Sequence, residues 1–397
     1  MRLAGRTLVI VMALAQLGSL LPHVVVPAVM PSHLIPEWRV SYSEAGLMAA
    51  SYAAGYMLAV PFLTTLTDRI DARLILLWGS VLSALATILF GVLASGLLSA
   101  ILLWGLAGIG FAGAYMPGLK ALTDRLDRGE SSRSVTLYTS SFSVGVGLSF
   151  LVAQVVADRW GWRPAFIVTG IGPAAMALVA LMLRPVQPPP RTGALLDFRP
   201  VVSNRSALGY VMGYGAHCFE LYAFRTWLVA FWAFVTAQAG GAAPLDAITI
   251  SVTISILSLP ASVLGNEAAL RFGRHRAITT VMLGSALVAA TIAVTAGMSP
   301  WLSLFLLLVY ALTVPADSGA LTSGVTAAAD PHFRGATLAL HSMVGFGLSA
   351  LGGWATGVAI DAAGGADSAR GWMAAFLVMG AGILVGPLAL WWSRRTS

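Results

Sequence analysis

Charge is scarce in this chain: Asp, Glu, Lys and Arg together make up 10% of its 397 residues. A water-soluble domain carries about 25%, so these side chains cannot clothe a protein surface in water. Lysine is almost missing, with Lys120 the single copy. No Gly-x-x-x-x-Gly-Lys leads into it, which excludes an ATP-driven pump within this chain. Cysteine occurs once, as Cys218; one thiol builds neither an intrachain disulfide framework nor a cysteine metal cluster. Ser318, His341 and Asp317 carry no hydrolase motif or nucleophile–base spacing, so no enzyme, cofactor or metal site is expected.

Apolar residues are abundant, at 58%, and glycine follows with 42 copies. So much apolar surface must meet lipid. In a membrane bundle, glycines let helix backbones approach closely. The net charge of +7 fits basic residues gathered at cytoplasmic helix ends better than nucleic-acid binding.

About 20 apolar residues cross a bilayer as a helix, against 9–11 for a barrel strand. Twelve stretches meet the helical length: 7–30, 43–66, 74–93, 99–119, 133–156, 164–183, 207–236, 245–270, 277–296, 300–325, 335–360 and 371–392. Arg2 and Arg6 precede the first. Its length and the spans that follow make it a retained helix rather than a cleaved leader. The reading is an all-α membrane protein with two six-helix bundles, residues 1–183 and 207–397. The polar stretch 184–206 links them, and its prolines (Pro185, Pro188, Pro189, Pro190, Pro200) forbid a continuous helix. With a cytoplasmic N-terminus, 18 of the 23 Lys and Arg fall on the cytoplasmic side. Arg39, Arg159, Arg163 and Arg370 face the other way, and Arg225 lies within a span. This bias puts both termini in the cytoplasm of a cell inner membrane.

The halves repeat one another. Thr136, Leu137 and Ser141 align with Thr337, Leu338 and Ser342, and Gly145, Gly147, Leu148 and Ser149 with Gly345, Gly347, Leu348 and Ser349. Trp162, Ala165, Phe166, Val168 and Gly170 then align with Trp372, Ala375, Phe376, Val378 and Gly380. A duplicated bundle can rock about a shared interface and open a central site to alternate sides.

After the second span the chain reads Thr64-Thr65-Leu66-Thr67-Asp68-Arg69-Ile70-Asp71-Ala72-Arg73. This resembles the signature Gly-x-x-x-Asp-Arg-x-Gly-Arg-Arg/Lys of the major facilitator superfamily. Asp68, Arg69 and Arg73 match; Thr64, Asp71 and Ala72 depart. The loop after the eighth span, Arg271-Phe272-Gly273-Arg274-His275-Arg276, keeps Arg-x-Gly-Arg, with Leu270 where the acid would stand. The resemblance implies a two-bundle fold, a cavity lined by helices one, four, seven and ten, and a gating loop of Asp68, Arg69, Arg73, Arg271 and Arg274. In length and glycine pattern the chain is loosely similar to nitrate, nitrite and cyanate porters. The arginines that nitrate porters carry in helices two and eight have no counterpart, and the fifth helix lacks the Gly-Pro pair of drug–proton antiporters.

Ionisable groups at membrane depth are costly and tend to serve transport. The seventh span carries Tyr210, Tyr214, His217, Glu220 and Arg225. At about 100° per residue these form one broad polar face. Arg225 suits an anionic substrate group, His217 is a candidate proton carrier, and Glu220 either carries a proton or pairs with Arg225. Asp317, next to Pro315 and Ser318 in the tenth span, is a second coupling candidate. His23, with Gln16, and Tyr115 are candidate cavity residues of the first and fourth spans. The expectation is a monomeric, proton-coupled secondary transporter of a small solute such as an organic anion, with protons or another coupling ion and the lipid bilayer as its partners. A drug or metabolite efflux carrier and a non-transporting receptor of the same fold are the alternatives.

Overall fold

The computed structural model describes residues 5–126, 131–188, 197–330 and 333–394. Arg2, Pro189 and Pro190 lie outside them, as do the side chains of Arg133 and Thr136. Among the described residues the regular elements are all helical. In chain order they are α1 (Gly5–Ser19), α2 (Val25–Val29), a π-helical turn (Met30–Leu34), α3 (Ile35–Trp38), α4 (Tyr42–Leu66), α5 (Ala72–Leu93), α6 (Leu97–Thr123), α7 (Ser131–Trp160) and α8 (Trp162–Met182). Then follow α9 (Arg199–Ser203), α10 (Arg205–Gln238), α11 (Ala247–Phe272), α12 (Arg274–Thr295), α13 (Pro300–Thr313), α14 (Ser318–Ala328), α15 (Arg334–Ala362), α16 (Ala369–Ile383) and α17 (Val385–Arg394). Eleven segments are long and apolar enough to cross a bilayer, taking α13–α14 and α16–α17 as one each, and α1 adds a shorter apolar helix. This agrees with twelve spans in an all-α membrane fold.

Two spans depart from the continuous helices expected. The stretch 7–30 ends as a helix at Ser19, and the chain turns through 20–24, where Pro22 supplies no N–H. Pro27, Pro31 and Pro36 then keep the following segments short. The stretch 300–325 breaks at 314–317, where Pro315 stands between α13 and α14.

Helix starts are set by local chemistry. Ser41 and Glu44 form a capping box before α4: Ser41 N donates to Glu44 Oε2 at 2.8 Å, and Glu44 N to Ser41 Oγ at 3.2 Å. The next free amides, Tyr42 N and Ser43 N, donate to the Asp361 carboxylate of α15 at 3.1 and 2.7 Å, and Ser43 Oγ also bonds it. Asn204 caps α10 through Ala207 N, and Asp246 caps α11 through Thr249 N. Asp246 lies outside the spans; the hydrogen bonds it accepts from the Thr249 backbone and hydroxyl hold its carboxyl below the usual range. Gly161 (φ 85°) and Gly273 (φ 91°) make the left-handed turns from α7 to α8 and from α11 to α12.

The chain forms two compact units: Met1–Val25 with Ser51–Asp197, and Val26–Ala50 with Phe198–Ser397. The first packs Phe90 on Phe166 with ring centroids 4.0 Å apart, beside Trp104 and Trp162. A Cβ on Gly79 or Gly110 would collide with facing backbone where α5 meets α6, so only glycine permits that approach. The second unit packs Phe231 against Trp372 and Phe376. Its other core cluster joins Val211, Met282, Leu321, Ile383 and Leu390. Large apolar side chains such as Trp78, Leu178, Leu264, Leu287 and Leu388 are exposed, as contact with lipid requires.

In the first unit, the segment after α8 is tied to the α4–α5 turn. Arg125 Nη2 donates to both Asp71 oxygens (2.8 and 3.1 Å) and to the Arg184 carbonyl, and Arg125 Nη1 donates to the Ala121 carbonyl. Asp71 also accepts from Arg73 N (3.0 Å) and Val186 N (2.9 Å), so it both caps α5 and anchors the segment after α8. Burial alone would raise the Asp71 carboxyl. The hydrogen bonds from Arg125, Val186 and Arg73 outweigh it and hold the group below the usual carboxylate range.

Candidate functional site

The buried ionisable groups of the second unit gather on α10 and the segments packed beside it. This helix carries little charge but is buried along most of its length, which gives its few polar residues somewhere to meet partners. His217, Glu220 and Arg225 are each at least nine-tenths buried, as are Asp317 and His341 on neighbouring segments. The break at 314–317 decides who faces whom. Tyr310, on the last turns of α13, donates to Glu220 Oε1 at 2.9 Å. Asp317, at the start of α14, brings Oδ1 to 2.6 Å from His217 Nδ1. That pair is close enough for an ion pair but too poorly aligned for a hydrogen bond, and neither atom has one among the described residues.

Ser285 Oγ of α12 is the second donor to Glu220 Oε1, also at 2.9 Å. Glu220 Oε2 has no hydrogen-bond partner among the described residues. The ring of Tyr214 stacks on His341 of α15 with centroids 3.8 Å apart and lies 5.7 Å from His217. His341 Nδ1 is likewise without a hydrogen bond among the described residues.

Glu220 and Arg225 do not form the pair that their spacing allows. The two acids of this cluster engage Ser285, Tyr310 and His217 instead. The Arg225 guanidinium stands over the Tyr222 ring, 5.5 Å from its centroid, and no carboxylate lies within ion-pair distance of it among the described residues. A buried guanidinium without a counter-ion is a strong attractor for an anion.

Not every candidate joins this cluster. Tyr210 lies on an earlier turn of α10, with its hydroxyl 3.3 Å from His275 Nδ1 and its ring in the apolar core. Gly324 leaves room for that ring. His23 and Tyr115 belong to the first unit. His23 is ringed by Tyr52, Phe111 and Phe142 at 5.1–5.4 Å, and Tyr115 stacks between Phe111 and Tyr138. Gln16, also buried, accepts from the Tyr138 hydroxyl at 2.7 Å. Of the loop residues, Arg73 pairs with Asp71 at 3.1 Å. Asp68 and Arg69 sit in the turn after α4, and Arg271 and Arg274 flank Gly273 at the α11–α12 turn.

Sequence reasoning missed Ser285, Tyr310 and Arg125. Tyr310 stands seven residues before Asp317, but the break at 314–317 lies between them, so helical spacing gave no usable signal. Ser285 and Arg125 had none either, since only folding brings them to Glu220 and Asp71.

Many helices long and apolar enough to span a membrane, one of which buries Glu220, His217 and Arg225, define a multi-pass membrane protein. Residues 8–353 match the family described as Major Facilitator Superfamily. The chain belongs to the Major Facilitator Superfamily; it is a transporter-family protein and not an enzyme. It is similar to Protein spinster homolog 1 of Homo sapiens, at 25% identity over 57% of this chain and 46% of that protein. It is also similar to Probable anion transporter 4, chloroplastic, of Arabidopsis thaliana, at 28% identity over 39% of this chain and 29% of that protein. The matches therefore span less than half the length of these relatives. A bacterial homolog of the human lysosomal transporter Spinster, solved inward-facing and occupied, shares the fold. Its TM-score is 0.79 at 16% identity, over 98% of this chain and 96% of that one.

Proposed function

We propose that this protein is a proton-coupled secondary transporter that moves a small organic anion by alternating access. In this reading residues 1–183 and 207–397 act as two rocking halves joined by the linker 184–206. The membrane is a cell inner membrane with both termini in the cytoplasm, supported by the Lys and Arg bias of the loops. The observation that carries the reading is Arg225, buried and without a carboxylate partner among the described residues while both nearby acids are otherwise engaged. An incoming anion supplies the missing countercharge. Glu220, with one oxygen open, and Asp317, against His217, supply groups that exchange a proton as the anion binds. Likeness to a protein named as an anion transporter agrees with the substrate class.

The test is uptake into proteoliposomes of a panel of radiolabelled carboxylates, phosphates and neutral sugars under an imposed proton gradient. Arg225→Gln is expected to abolish anion uptake. Glu220→Gln and Asp317→Asn are expected to stop accumulation against a gradient while leaving exchange. Uptake of a neutral sugar that survives Arg225→Gln would refute the anion assignment. Accumulation unaffected by both carboxamide variants would refute proton coupling through these groups, and ligand binding without flux would identify a receptor.

A further inference from the structure

Glu220 is held asymmetrically. Both donors, Ser285 Oγ and Tyr310 OH, converge on Oε1 at 2.9 Å, while Oε2 has no hydrogen-bond partner among the described residues. Two charge-assisted bonds to one oxygen fix the plane of the carboxyl group and leave the other oxygen as the atom that takes or gives the proton. The donors stand on different helices, α12 and α13, so the carboxyl is clamped from two sides. Thr313 Oγ1 lies 3.5 Å from Ser285 Oγ and extends the chain of hydroxyls toward the break. Tyr310 precedes that break and Asp317 follows it, and their partners Glu220 and His217 are one turn apart on α10. The two arms of this span are thus each fastened to a titratable group on the same face.

We propose that Tyr310 and Ser285 are positioning residues that set the pH at which Glu220 exchanges its proton. This rests on the reading of Glu220 as a coupling group. A hydrogen bond donated to a carboxylate favours its ionised form, so removing a donor makes Glu220 hold its proton to a higher pH. Of the other titratable groups, Asp317 at the start of α14 acts on it directly; His217 and Arg225 share α10 with it, and His341 on α15 lies against Tyr214. From α12 Ser285 is the residue that reaches it. None of these other groups is altered by substituting Tyr310 or Ser285.

The experiment needs no substrate, because the probe is the proton. Purified protein in lipid is titrated with acid and followed by infrared difference spectroscopy. The carboxylic C=O band of Glu220 is identified by its loss in Glu220→Gln. Tyr310→Phe keeps the ring packed against Phe224 and Phe376 and removes only the hydroxyl; Ser285→Ala removes one oxygen. Each is expected to raise the midpoint of the Glu220 band by about one pH unit, a tenfold change in proton affinity, and the double variant by more than either. Midpoints within about 0.2 units of the parent in both variants, with monodisperse protein and unchanged helical content, would overturn the proposal. If the midpoints stay put while Glu220→Gln stops proton-driven uptake, only the positioning role fails. If they shift while Glu220→Gln still couples normally, the coupling reading fails instead.

Discussion

Replacing Asp71 by Ala tests how the segment after α8 is fixed within the first unit. The carboxylate accepts from Arg125 Nη2 at 2.8 and 3.1 Å, Arg73 N at 3.0 Å and Val186 N at 2.9 Å. The Arg125 side chain is 1% exposed and that of Asp71 12%, so the substitution strands a buried guanidinium. Removing one partner of such a pair costs about 3–5 kcal/mol, and losing the α5 cap adds about 1 kcal/mol. Part is recovered because Arg125 keeps its bonds to the Ala121 and Arg184 carbonyls, leaving a net loss of about 3–4 kcal/mol. At about 2–4 °C per kcal/mol for a unit of this size, the apparent melting temperature in detergent falls by about 6–16 °C. Hydrogen exchange at Val186 N rises at the same time, because that amide has lost its acceptor. An Asp71→Ala protein that melts within about 2 °C of the parent, with Val186 still protected, would refute the anchoring role.

Three further outcomes follow from the same coordinates. The Asp71 carboxyl is held below its unfolded value, so its stabilisation is complete above the ordinary Asp range and is lost as pH falls through the folded value; an acid melting series should fall for the parent and be flatter for Asp71→Asn. Gly265→Leu should destabilise the second unit and stop uptake, because a Cβ there would overlap the Ala316 carbonyl at the break; overpacking of this kind costs about 1–3 kcal/mol, and a variant with normal melting and uptake would count against the contact. Asp361→Ala leaves Tyr42 N and Ser43 N without an acceptor and should raise exchange at both amides with a loss of about 1–2 kcal/mol, while Glu44 N, capped by Ser41, stays protected.

The spans were legible because each must satisfy its own backbone inside lipid, which writes about 20 apolar residues into the sequence. The family was legible in Asp68, Arg69 and Arg73 and in the second copy at Arg271 and Arg274. His217, Glu220, Arg225 and Asp317 stood out because charge is so rare in this chain. What each would touch was not legible. A Glu220–Arg225 contact looked available from spacing along one helix, yet folding gives Glu220 donors from α12 and α13 and sets the guanidinium over the Tyr222 ring. Asp71 read as a departure from the loop signature, and the fold makes it the acid that fastens Arg125, Arg73 and Val186.

The sequence by itself determined how many helices cross the bilayer, where the chain is punctuated and which rare charges are buried, since these follow from local hydrophobicity and from proline's missing N–H. Only the tertiary structure decided that the turn at Pro315 would send Tyr310 to Glu220 and Asp317 to His217. Those pairings depend on how helices far apart in the chain pack against one another, and no local pattern encodes such distances.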